Sequence, residues 1–220
     1  MLELAEDATQ RGWWEDYADA LTPEYLEFIG LEAEAVSSLQ WQADVIPGLF
    51  QTEDYARQLS VAWQTVVPTT PPAVLDRFVR ARMLRRERLT HEPVLELSVV
   101  LDEAVLLKRV GDRGIMRAQL EHLADVADMP NVDLRVMPLD REIALGAGSF
   151  VIMSFGSRSA AETASLGDVV STESLNTELY VEGETDTHLY RLFFQALVRA
   201  SLSPADTRHL IVTTIGRTWS

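Results

Sequence analysis

Six arginines crowd into RFVRARMLRRERL, residues 77 to 89, a density that could serve phosphate, carboxylate ligands or an acidic protein segment. On a helical wheel of about 100° per residue, Arg77, Arg80, Arg85 and Arg88 share one broad polar face. Leu75, Phe78, Val79, Met83 and Leu89 hold the other arc, and Arg82 and Arg86 fall inside it. A guanidinium facing a core needs a partner, because an unpaired buried charge costs about 3–5 kcal/mol. Three readings stay open. An internal acid could serve it, with Glu32, Glu103 and Glu182 as candidates because each sits among apolar residues in GLEAEA, VVLDEAVL and LYVEG. An anionic ligand or partner could do the same, or the helix face could be exposed and irregular in phase.

A second cluster is DVIPGLFQTEDYAR, residues 44 to 57. Pro47 presets φ at the second position of a tight turn, Gly48 suits a positive φ at the third, and Ile46 to Leu49 is predicted to form that turn. Thr52 then caps a helix whose first turn holds Glu53 and Asp54, where the helix dipole favours anions. Turn chemistry leaves Leu49, Phe50 and Gln51 unexplained, so they are candidates for a pocket or for packing.

Other reactive patterns are thin. Gly146-Ala147-Gly148 lacks the third glycine and following helix of a dinucleotide fingerprint, so a turn is predicted. His91, His122, His188 and His209 show no metal-ligand spacing, and the chain has no cysteine, which removes thiolate catalysis, disulfides and zinc knuckles. Asp102-Glu103 at a strand end could supply a general acid, and a hydrolase using Glu103 is a third-ranked reading; a helix-terminal charge explains the pair better. No catalytic constellation emerges, so no enzyme, cofactor or metal is expected.

The elements that must position these groups follow from periodicity. MLELAEDATQRGWWEDYADAL is helix-compatible up to Pro23, with Trp13 and Trp14 adjacent, so that at least one indole should meet another domain or chain. Helices are predicted over Tyr25 to Ala35, Thr52 towards Trp63, Ala73 to Thr90 and Ile115 to Asp128. Strands are predicted for SLQWQADV, VLELSVVLDE and NVDLRVMP by alternation, for SFVIMSF as an all-apolar central strand, and more weakly at Val169 to Thr172 and Glu178 to Val181. Leu189, Leu192, Phe193, Ala196, Leu197 and Ala200 form an apolar helical stripe, and Ser203-Pro204 opens a last helix. The class is α+β: a central, mostly antiparallel or mixed sheet flanked by helices, with a helical N-terminal part and two C-terminal helices. Residues 1–22 form a linker or coupling helix and 23–220 a single domain, mainly helical to 91 and sheet plus helices from 92.

The formal net charge of -15 opposes binding to nucleic acid or anionic membranes, and no apolar run is long enough to span a bilayer. Charge is also uneven, since Arg11 is the sole basic residue from Met1 to Ala56 and the arginine-rich helix follows. That asymmetry, with the Trp pair, predicts a homodimer, although the opposed charges could equally pair within one chain. A cytoplasmic protein is expected.

In order, GLEAEA, VIPGLFQTEDYAR, RARMLRRERL, VVLDEAVLLKRVG, IMRAQLEHLADVADMPNVDLRVMPL, GAGSFVIMSF and ELYVEG resemble the C-terminal domain of actinobacterial helix-turn-helix regulators of the XRE type. WhiJ-like proteins of streptomycetes belong to that group, which is also described as antitoxin-like. The resemblance covers nearly the whole chain. It implies the sensory, partner-binding and oligomerisation domain of a cytoplasmic transcriptional regulator, touching DNA only through an upstream domain. The implied effector is a small protein encoded nearby or a small molecule. The alternative is a headless antitoxin-like or decoy module binding a small protein. The family's P-G-L-x-Q-T turn is matched by Pro47, Gly48, Leu49, Gln51 and Thr52; its R-x-x-R-Q by Arg82 and Arg85, with Arg86 in the place of glutamine. WWEDYADAL resembles the linker after the DNA-binding domain.

Overall fold

The alternating stretches pair into one six-stranded sheet, in the order β3-β2-β1-β4-β5-β6. Its strands are β1 (Ser37–Gln42), β2 (Glu96–Asp102), β3 (Val132–Met137), β4 (Phe150–Ser154), β5 (Val169–Glu173) and β6 (Glu178–Glu182). β1, β2 and β3 are parallel, while β4, β5 and β6 continue from β1 in antiparallel steps, so the sheet is mixed. Parallel neighbours need long crossovers, and helices fill them. The computed structural model describes residues 12–64, 71–141, 148–156, 167–173 and 178–220. Gly146 and Ala147, and the start of the first predicted helix, lie outside the described residues.

Among the described residues seven helices surround the sheet: α1 (Pro23–Glu34), α2 (Glu53–Gln64), α3 (Pro72–Arg85), α4 (Ala104–Leu107), α5 (Arg113–Val126), α6 (Glu184–Ala200) and α7 (Pro204–Thr218). Local chemistry starts several of them. Thr22 Oγ1 accepts the Tyr25 N–H at 3.2 Å, and Ser203 Oγ accepts the Asp206 N–H at 3.2 Å, each with proline next in sequence. Thr52 Oγ1 accepts the Tyr55 N–H at 3.4 Å, as its capping position predicts. Asp102 Oδ1 accepts the Ala104 N–H at 2.8 Å, so this acid does serve a helix terminus, that of the short α4.

Register sorts the core into two layers. Leu97, Val99 and Leu101 of β2 share a face with Val151 and Met153 of β4, covered by Met116, Leu120 and Leu123 of α5 and Ile211 of α7. On the other face Trp41, Val100, Ile152 and Val170 lie under Phe194 and Leu197 of α6. β4 is buried from Phe150 to Met153 on both faces beside β1, the central place predicted for SFVIMSF.

Two elements depart from the sequence reading. The helix expected to run to Thr90 ends at Arg85, and Arg86–Leu89 is a tighter 3-10 turn, which shifts the facing of Arg86 and Arg88. Trp13–Tyr17 is a single 3-10 turn rather than a longer helix; its aromatic rings pack with Leu21 just before α1, Ile29 on α1 and Ala81 on α3. Among the described residues no helix is long and apolar enough to cross a membrane.

Candidate functional site

Where α1 meets α3, two residue stripes of identical spacing face each other. Tyr25, Phe28 and Glu32 occupy i, i+3 and i+7 of α1, and Phe78, Ala81 and Arg85 do so on α3. Tyr25 stacks on Phe78 with ring centroids 5.4 Å apart, and the Arg85 guanidinium lies 5.3 Å over Tyr25 and 5.0 Å over Phe28. Arg85 then donates from Nε to Glu32 Oε1 at 2.8 Å and from Nη2 to Oε2 at 2.7 Å, a fork on a carboxylate, and from Nη1 to the Tyr25 hydroxyl. Both charged side chains are buried, 6% and 3% exposed. Burial works against the Arg85 charge, but Glu32 and Tyr25 outweigh it and hold its pKa above the ordinary value. Burial also raises the Tyr25 phenol, yet Arg82 and Arg85 together bring it below its usual pKa.

This corrects the wheel. Arg85, placed on the polar face by apolarity alone, is the buried arginine; Glu32 serves it and not Arg82 or Arg86. The face is polar in sequence but internal in space because α1 brings a carboxylate to it from 53 residues away. Glu103 and Glu182 join neither arginine. Glu103 Oε2 accepts the Leu139 N–H at 2.9 Å beyond the end of β2, and Glu182 is exposed at the end of the edge strand β6.

The proline-glycine turn closes the same node. Among the described glycines only Gly111 and Gly183 have positive φ, so Gly48 does not adopt the left-handed conformation expected of it. The turn sits one residue later, as a 3-10 turn at Gly48–Phe50 in which Pro47 O accepts the Phe50 N–H at 2.9 Å. A Cβ on residue 48 would stand 3.0 Å from Arg85 Nη1. The glycine is there for the arginine, through close approach rather than dihedral freedom.

Leu49, Phe50 and Gln51 are all buried, and Leu49 and Phe50 pack in the main core. Gln51 Nε2 donates to Ile46 O at 2.7 Å while its Oε1 accepts from Arg82 Nη1 at 3.0 Å. From α5, Gln119 Nε2 donates to Phe50 O at 2.8 Å, and its Oε1 accepts the Thr52 N–H at 2.7 Å and the Thr52 hydroxyl at 3.2 Å. Tyr55 accepts the Ile46 N–H at 3.4 Å, and burial pushes its phenol up to about 12. The turn is therefore clasped between α3 and α5.

Arg82 and Arg86 are half-buried, and among the described residues neither hydrogen-bonds a carboxylate, unlike seven other arginines of this acidic chain. Arg57, Arg77, Arg85, Arg117, Arg135, Arg191 and Arg208 each bond a carboxylate. Arg82 instead lies 5.0 Å over Phe78 and 5.6 Å over Tyr25, bonds the neutral Gln51, and keeps a buried Nε without a hydrogen-bond partner among the described residues. Arg86 Nη2 is 3.0 Å from His122 Nε2. Burial lowers the Arg86 pKa; burial and then the Arg86 charge lower that of His122, with Asp125 acting the other way. Chemically, each is a half-buried guanidinium bonded to neutral groups, a chemistry suited to an added anion.

Trp13 and Trp14 meet edge-on at 5.9 Å, both half-buried against their own chain, and Trp14 packs beside Gly30 of α1. Arg77 lies 5.0 Å over the Tyr17 ring and bonds Asp19, tying this N-terminal strap to the arginine helix. Sequence reasoning missed Arg85 and Tyr25 as a pair and Gln119 altogether, and weighed His122 only as a metal ligand. The matched i, i+3, i+7 stripes were the available signal for the first; nothing local marks the second.

Residues 25–213 match a family described as a domain of unknown function (DUF5753). No curated protein gives a significant match.

Proposed function

We propose that this chain, which belongs to the DUF5753 family, is the partner-receiving domain of a transcriptional regulator of the helix-turn-helix, XRE and WhiJ-like type, acting without contacting DNA itself. One observation carries the reading: among the described residues Arg82 and Arg86 are half-buried with only neutral hydrogen-bond partners, within and just past the end of the helix whose Arg77 holds the N-terminal strap. A carboxylate-rich segment of a small protein, or a small anionic effector, would complete their charge.

Helix α3 touches the strap, the Gly48–Phe50 turn and α2, so an anion that shifts α3 shifts the strap as well. A signal needs two states with different affinity for the ligand, and α3 is the element both ends share. The net charge of -15 fits a domain that leaves DNA contacts to another part of the regulator.

The test uses hexaglutamate and citrate as anionic probes. Both are expected to raise the melting temperature of the unaltered chain, and the rise should vanish in the double variant Arg82→Gln, Arg86→Gln while a chloride control of equal ionic strength does nothing. Equal shifts in both proteins, or none in either, would sink the proposal.

A further inference from the structure

Among the described residues, α6 alone covers the second face of the sheet, and it is apolar on two sides. Phe194 and Leu197 point to the strands, but Leu189 is 59% exposed and Leu192 46%, and with half-buried Ala196 they follow the i, i+3, i+7 spacing of a helical seam. Beside them Leu179 of the edge strand β6 is also 59% exposed, two residues from Val181 and so on the same sheet face. The sequence presents one continuous apolar stripe on this helix, and the chain's own fold covers only part of it.

The charges of α6 choose the occupant. Glu184 and Asp186 lie in its first turn and Arg199 in its last, so the helix is acidic at one end and basic at the other. Arg191, the other arginine, is engaged with Asp168 and Ser154 of its own chain. At about 100° per residue, Glu184 and Arg199 fall on the same flank of the Leu189–Leu192–Ala196 seam. Such a helix is complementary to itself when reversed.

We propose that α6 is a homodimer interface, pairing antiparallel with the same helix of a second copy about a two-fold axis near Leu192. In that arrangement Leu192 meets its own counterpart, Leu189 faces the partner's Ala196, a large residue against a small one, and Glu184 approaches the partner's Arg199 twice by symmetry. Antiparallel packing also sets opposite helix-dipole ends side by side. One helix pair with the Leu179 rim buries less than the roughly 800 Å² per partner of a standard interface, so the dimer is reversible and concentration-dependent. The seam is separate from Arg82 and Arg86, and its fate is independent of theirs.

Sedimentation velocity over a concentration series reads the dimer, and Leu192→Glu should weaken it at least about tenfold with an unchanged melting temperature, because the position is exposed. Glu184→Arg should weaken it as well, and adding Arg199→Glu to that variant should restore it. The chain has no cysteine, so Leu192→Cys provides a direct readout: mild oxidation should give a covalent dimer, while Val212→Cys, 47% exposed on α7, should not. Arg82→Gln should leave the dimer intact. A monomer at every concentration, a dimer indifferent to Leu192→Glu, no restoration by the charge exchange, or equal crosslinking at Val212→Cys would each overturn the proposal.

Discussion

Arg85 and Arg86 are consecutive residues at one helix end, yet they live under opposite electrostatic conditions. Arg85 is enclosed by a carboxylate fork, a phenol and two aromatic faces, whereas Arg86, like Arg82 a turn earlier, has only uncharged hydrogen-bond partners among the described residues. The first region has satisfied its charge inside the fold and is architecture. The second has left charge unsatisfied at partial burial, which costs stability unless something outside completes it. Function is to be sought where pairing is incomplete, not where it is tightest.

Breaking the enclosed pair should have the largest effect. Glu32→Gln or Arg85→Met strands one buried charge or its donors and should cost about 3–5 kcal/mol in urea unfolding. The double replacement Glu32→Leu, Arg85→Met should recover most of that loss, since apolar side chains of similar volume often replace a buried pair at little cost. Arg82→Met and Arg86→Met should stay within about 1 kcal/mol. If they cost as much as Arg85→Met, the contrast between the two regions collapses.

Gly48 sharpens the same comparison. Gly48→Ala puts a methyl group 3.0 Å from Arg85 Nη1, and displacing a buried guanidinium held by three hydrogen bonds should cost about 1–3 kcal/mol. In an Arg85→Met background the penalty should largely disappear, so a double-mutant cycle should show coupling. A penalty of the same size in both backgrounds would return Gly48 to a backbone role. Gln51→Ala comes next, at about 1–3 kcal/mol, because it removes two hydrogen bonds and leaves Ile46 O unpaired in the core. Unchanged stability with weakened hexaglutamate binding would favour the pocket reading.

These residues also show what the chain's pattern reveals. Strands β2 and β4 and the caps at Thr52 and Ser203 were legible because alternation and capping are decided within a few residues. The parallel pairing of β1 with β2 was not, since it depends on how the intervening helices fold back. The wheel of α3 failed because that helix packs on two sides, against α1 and against α2, and a wheel scored by apolarity assigns a buried arginine to water. Gly48 was misread for a different reason: turn chemistry explained it so well locally that a partner 37 positions later left no trace.

The smallest effect is the most diagnostic of the incomplete region. Burial and the Arg86 charge hold the His122 pKa below its ordinary 6.5, with Asp125 opposing. Between that lowered value and 6.5 the unfolded chain binds more protons than the folded one, so stability is full above about pH 6.5 and falls as the pH drops through this window. Arg86→Gln removes the neighbouring positive charge, so the His122 imidazole should titrate higher by NMR and the acid-side loss should shrink. An anion seated on Arg82 and Arg86 neutralises the same charge and should raise the His122 pKa too, which by linkage makes the anion bind more tightly at lower pH. Citrate that stabilises the protein without moving the His122 titration would be sitting elsewhere, and the paired and unpaired arginines would then differ in environment but not in use.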